Sequence, residues 1–189
     1  MRLFLALDLP DEARAEMRRR LGRLRSELPE AKWVSPEVCH LTLVFYGETG
    51  EGKVGPLSDV LRTVFSRHPP FTMRLQGAGT FPAGRPARVA WIGVKAPTTL
   101  MALHRDAFES SAGLAGLETP QRPFHPHVTL ARCRRPWSRR KIDHFVQEAH
   151  GSWSEPFRVA EGVLFQSHLG PRGPRHEALA RFPLEGQAA

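Results

Sequence analysis

Cysteine is scarce in this sequence: Cys39 and Cys133 are the only two among 189 residues. Neither the number nor the spacing fits a disulfide framework or a zinc site, so both are read as free thiols. Apolar runs of ~18 or more residues are missing too, which excludes a transmembrane helix. The opening stretch MRLFLALDLP is short, contains Asp8, and meets charged residues before any small-residue cleavage site. It reads as a strand rather than a secretion signal, and the expected location is cytoplasmic. Clustered carboxylates able to hold a metal are also lacking, and no cofactor is expected. Acidic residues are in deficit: 27 Lys+Arg face 19 Asp+Glu, for a net charge of +8. An excess of that sign favours a polyanionic partner such as nucleic acid, although a plain solubility charge accounts for it equally well. Its distribution is uneven, with Arg132, Arg134, Arg135, Arg139, Arg140 and Lys141 crowded into ten residues.

What is present is a regular alternation of strand-like and helix-like segments. Arg2 to Leu9 is β-prone. Pro10 then opens an amphipathic helix with acidic residues in its first turn, where the helix dipole favours them. A strand follows from Val38 to Tyr46, a helix from about Pro56 to Arg67, and a strand from Phe71 to Ala78. The order then recurs. A strand is expected over Arg88 to Val94, a helix from Pro97, a strand over His127 to Cys133, a helix over Ser138 to Ala149, and a strand over Phe157 to Phe165. A last strand is expected within His176 to Leu184. Pro10 and Pro97 are 87 residues apart, as are Leu5 and Ile92, His40 and His127, and Thr42 and Thr129. Several coincidences at one offset point to two copies of a β-α-β-α-β unit, at about 1–80 and 86–166, with a C-terminal strand at 175–184.

The chemistry rests on two short segments, His40-Leu41-Thr42-Leu43 and His127-Val128-Thr129-Leu130. Side chains alternate along a strand, so each His shares a face with its Thr while the aliphatic residues face the core. Same-face neighbours lie about 6.6 Å apart, roughly the span of a phosphate group. Opening a cyclic phosphodiester with water needs one group to accept a proton and another to donate one. Imidazole does either near neutrality, and Thr hydroxyls can donate to phosphate oxygens. A single H-x-T is worth little, because most strand histidines are simply packed or exposed. Two copies at the repeat offset carry the functional reading. A zinc site built from His40, His125 and His127 is a formal alternative.

At these residues the sequence resembles the two-histidine (2H) phosphoesterases, and within them the bacterial RNA 2′,3′-cyclic phosphodiesterases, also described as 2′–5′ RNA ligase-like. The likeness covers RLFLALDLP, KWVSPEVCHLTLVFYGE, GAGTFPAGRPARVAWIGV, RPFHPHVTLARC and LFQSHLGPRGPRHEAL, nearly end to end. It implies an α+β fold of two duplicated lobes, with antiparallel sheets lining a central cleft and helices outside. It also implies metal-independent opening of RNA 2′,3′-cyclic phosphate ends, tRNA fragments among them, to 2′-phosphomonoesters by a monomeric enzyme. His40 would donate the proton to the leaving oxygen and His127 would accept one from water. Thr42, Thr129 and Arg132 would hold the phosphate. Strand parity sets Arg132 opposite His127, so a bulge or strand end must intervene. Phe124 and Trp33 would stack on the terminal nucleotide, although core packing explains either as well. Two departures stand out. Val44 replaces a basic residue common in the family, which would remove a charge near the cleft. His176 replaces a common tyrosine and is read as a tolerated surface change, with an extra substrate contact as the alternative. Joining of RNA through a 2′–5′ bond, action on small cyclic nucleotides or 2′–5′ oligonucleotides, and non-catalytic RNA binding through the basic segment remain open.

Overall fold

The computed structural model describes residues 1–83, 86–116, 123–170 and 173–187. Parts of three family-like stretches, at Gly84 and Arg85, at Arg122, and at Pro171 and Arg172, lie outside the described residues. Among the described residues, nine strands form one curled antiparallel sheet. They are β1 (Arg2–Asp8), β2 (Ala31–Trp33), β3 (His40–Glu48), β4 (Phe71–Phe81), β5 (Ala87–Lys95), β6 (His127–Trp137), β7 (Phe157–Val159), β8 (Glu161–Gly170) and β9 (Gly173–Pro183). Four helices connect them: α1 (Asp11–Glu27), α2 (Val54–Phe65), α3 (Thr98–Ala115) and α4 (Arg139–Glu148).

The expected alternation of elements is present, with three differences. Residues 31–33 form a short strand beside β6, absent from the sequence reading. The segment expected as one strand over 157–165 is divided into β7 and β8. Val38 belongs to a 3-10 turn, Pro36–Val38, that delivers the chain into β3. The two longest helices, α1 and α3, begin directly after a proline, Pro10 and Pro97, each with extended backbone. Proline at the threshold of a helix forfeits an N–H that would be unpaired anyway.

Strand order is β7-β4-β5-β6-β3-β1-β8-β9. Around the central β6-β3 pair this order is symmetric: β5 and β1 flank the pair, and β4 and β8 flank those. The last strand of each sequence unit therefore pairs with the first strand of the other, β4 with β5 and β8 with β1. β3 and β6 are joined through the pair Leu41↔Val128, and these residues are 87 apart.

One sheet face is buried under the helices. Leu3, Leu5 and Leu7 of β1, Leu41 and Leu43 of β3, and Val128 and Leu130 of β6 meet Met17 and Leu21 of α1, Leu61 and Phe65 of α2, Leu103 of α3 and Phe145 of α4. All of these are 3% exposed or less. Burying a side chain of this size contributes ~1.5–3 kcal/mol. This packing orients the strands, and so determines what appears on the other face. On that face, among the described residues, Phe4, Ala6, Val163 and Phe165 form a separate small buried cluster. Among the described residues no helix is long and apolar enough to cross a membrane.

Candidate active site

The H-x-T segments sit at the centre of the sheet. Leu41 and Val128 are cross-strand partners and both are fully buried on the helix side. Parity therefore turns His40, Thr42, His127 and Thr129 to the open face. The antiparallel register places His40 across from Thr129 and Thr42 across from His127. Diagonal positions of this kind lie about 7–8 Å apart, wide enough to take a phosphate with its attacking and leaving oxygens.

Each imidazole is held in the same way. His40 Nδ1 lies 2.9 Å from the Val38 carbonyl, and His127 Nδ1 lies 2.7 Å from the His125 carbonyl. A carbonyl only accepts, so in both rings Nδ1 carries the hydrogen and Nε2 is left for chemistry. An aromatic ring on the neighbouring strand supports each. Phe4 stacks on His40 with centroids 4.7 Å apart, and Trp91, 87 residues on from Phe4, stands 6.2 Å from His127. Phe81 meets His127 edge-on at 5.0 Å. Gly79 makes room for the indole, since a Cβ there would lie 2.3 Å from Trp91 Cζ2.

Burial pushes the His40 imidazole down to about 4, and the nearby His176 adds to this, while the Val38 carbonyl and Asp8 oppose it. Burial also lowers His127, helped by His125 and opposed by the hydrogen bond to the His125 carbonyl. Both rings are accordingly neutral at pH 7 when the cleft is empty, each with a lone pair on Nε2. An arriving phosphate anion favours the protonated form.

The structure supplies the bulge that Arg132 requires. Ala90 pairs with Ala131 but Trp91 pairs with Thr129, so one extra residue lies in β6 at Leu130. Leu130 and Ala131 are both buried and Arg132 emerges on the face of His127 and Thr129, exposed. β3 has the matching irregularity at Leu43, where Leu5 pairs with Val44 but Ala6 pairs with Thr42. Two consequences follow. Val44 is 3% exposed and belongs to the core, so the expectation that it removes a charge near the cleft is wrong. Phe45 occupies the cleft-face position instead, half exposed, with the Arg2 guanidinium 5.3 Å from its ring. Phe45 is five residues after His40, as Arg132 is five after His127. The repeat offset contained that signal, and parity without the bulge concealed it.

Other assignments fall differently. Trp33 pairs with Ala131 and faces the core side; its indole donates to the Leu28 carbonyl at 3.1 Å and its ring lies 6.5 Å from Trp137. Phe124 is half-buried and stacked on His104 at 3.8 Å, and His104 Nδ1 donates to the Leu43 carbonyl. One face of the Phe124 ring is thus occupied by protein. Lys32, across from Arg132 on the same face, was missed for want of β2. His176 is no surface residue: its ring stands edge-on to His40 at 5.0 Å and to Phe4 at 4.9 Å. His125 is exposed beside Trp91, and among the described residues no group of three His, Cys, Asp or Glu side chains is arranged to hold a metal.

The family model for LigT like Phosphoesterase matches the chain twice, over residues 7–91 and 93–176. A relative from Methanothermobacter thermautotrophicus, named RNA 2′,3′-cyclic phosphodiesterase, is 35% identical over 97% of this chain and 99% of its own length. A crystal structure from Thermus thermophilus covers 100% of both chains with a TM-score of 0.84 at 28% identity. Escherichia coli LigT complexed with 3′-AMP aligns over 97% of each chain, with a TM-score of 0.73 and 30% identity. With two H-x-T segments at the centre of its sheet and the family match spanning both halves, the chain belongs to the LigT-like phosphoesterases.

Proposed function

We propose that the protein hydrolyses 2′,3′-cyclic phosphodiester ends of RNA to 2′-phosphomonoesters, with His127 as base and His40 as acid. The observation that carries this is the matched pair of imidazoles, each locked through Nδ1, diagonal to one another on the open face of the central strands. In the forward step the water oxygen attacks phosphorus and its proton passes to His127 Nε2. The bond from phosphorus to the 3′ oxygen breaks, and that oxygen takes the proton from His40 Nε2. One proton is gained and one lost, so the pair must exchange protons with solvent before the next cycle. His40 acquires its proton when the anionic phosphate enters, because burial keeps the empty site neutral. Thr42 and Thr129 donate to the non-bridging oxygens, and Arg132 and Lys32 attract the phosphate from the β6 side. The name of the Methanothermobacter relative and the 3′-AMP held by LigT support an RNA terminus as substrate.

The two-unit reading of the chain is supported by the symmetric strand order and by the double match of the family model. It accounts for why both histidines are presented alike. We place the protein in the cytoplasm as a monomer, with tRNA fragments among its substrates. The test is hydrolysis of a defined cyclic-ended oligonucleotide, with the product's phosphate position read by phosphorus NMR. Wild type should give the 2′-phosphate, with or without chelator. His40→Ala and His127→Ala should each lower kcat by ~10²–10⁴-fold. A loss under ~10-fold in either variant, or untouched ends with wild type, would overturn the assignment.

A further inference from the structure

His176 is the third histidine of the cleft, and the proton transfer above does not use it. It lies on β9 across from Ser167, and β8 carries Ser167 on the same face as Phe165. Phe4, the stacking partner of His40, pairs with Phe165. The result is a closed set of rings. Phe4 stacks on His40, His176 meets both edge-on at 4.9 and 5.0 Å, and Phe165 lies 6.1 Å from His176 and 6.3 Å from His40. Around His127 the nearest ring is Phe81 at 5.0 Å, which does not titrate, and the exposed His125 ring stands further off at 6.4 Å.

We propose that His176 is a positioning residue for the leaving-group acid: it walls His40 against Phe4 and competes with it for a single proton. The inference rests on the acid role assigned to His40 above. Two imidazolium ions at this separation, on a face partly shielded from water, repel one another, so charging one disfavours charging the other.

The remaining charges near the pair do not cancel that repulsion. Asp8, across from His40 on β1, attracts both rings, but its carboxylate is engaged by Arg14 at 2.5 Å. Arg181 on β9 is paired with Glu161. Arg175 and Glu177 flank His176 on the other face of β9, and Glu177 accepts from His168 at 2.9 Å. When a phosphate enters, it raises the proton affinity of both imidazoles. A proton on His40 Nε2 serves the leaving oxygen, whereas one on His176 withholds it. A ring that does not titrate at this position would leave the proton to His40.

The test compares wild type with His176→Tyr and His176→Phe, which keep a ring against Phe4 and remove the titration. Histidine NMR titration of the free protein should show the His40 midpoint rising by about one pH unit in both variants. In turnover of a cyclic-ended oligonucleotide, the alkaline limb of kcat should move to higher pH by a similar amount, with KM changing less than kcat. An unmoved His40 midpoint, or variant profiles that only scale the wild-type curve, would overturn the proposal. The titration needs no substrate, so its failure is distinguishable from failure of the hydrolytic reading.

Discussion

Replacing Gly79 by alanine isolates the support behind His127. Gly79 pairs with Trp91, and an added Cβ would stand 2.3, 2.5 and 2.9 Å from Cζ2, Cη2 and Cε2 of the indole. Such contacts are impossible without movement. The indole cannot swing freely, because Phe81 at 5.3 Å and His125 at 4.7 Å confine it. Overpacking of this kind costs ~1–3 kcal/mol, equivalent to roughly 3 °C in Tm per kcal/mol for a protein of this size. A displaced indole pushes on the ring it borders, so kcat should fall on the order of 10-fold through misplacement of His127. Chemical denaturation and turnover would be measured for Gly79→Ala, Trp91→Ala and the double variant. Once the indole is gone the alanine has nothing to strike, so its cost should nearly vanish in the Trp91→Ala background. An alanine cost that is the same in both backgrounds, or absent in wild type, would refute the reasoning.

Acid should destabilise the protein through His40. Its folded value of about 4 lies below the ordinary ~6.5, so the unfolded chain binds the extra proton between these values. Stability should be intact above ~6.5, fall as pH drops toward 4, and level off below, by at most about 3 kcal/mol from this ring. His40→Phe, which retains the stack on Phe4, should flatten that part of the denaturation profile; an equally steep fall would count against it. Arg132→Ala should raise KM several-fold and weaken the salt dependence of binding, with Arg132→Lys in between, because lysine keeps the charge but not the fork of donors. Tyr46 donates to Ser111 Oγ at 2.7 Å in the core, and Ser111 donates on to the Ala107 carbonyl. Tyr46→Phe should cost ~1 kcal/mol in denaturation and leave kcat unchanged.

Much of the candidate site was legible in the sequence because strand periodicity is local. Alternation alone sets His40 with Thr42, and His127 with Thr129, and the 87-residue offset links the two pairs. The helix starts at Pro10 and Pro97 were legible for the same reason, since proline acts on its own backbone. What the tertiary structure decided lies where parity breaks or where strands distant in the chain meet. A one-residue bulge at Leu43 and another at Leu130 reverse the faces beyond them, sending Val44 inward and Phe45 and Arg132 outward. Trp33 was placed by the partner of a three-residue strand too short to show a period. His176 reached His40 only through the path β9-β8-β1-β3, a sequence of pairings that no local pattern encodes. Side-chain type and spacing determined the chemistry available, and the register between strands determined which of those side chains share a face.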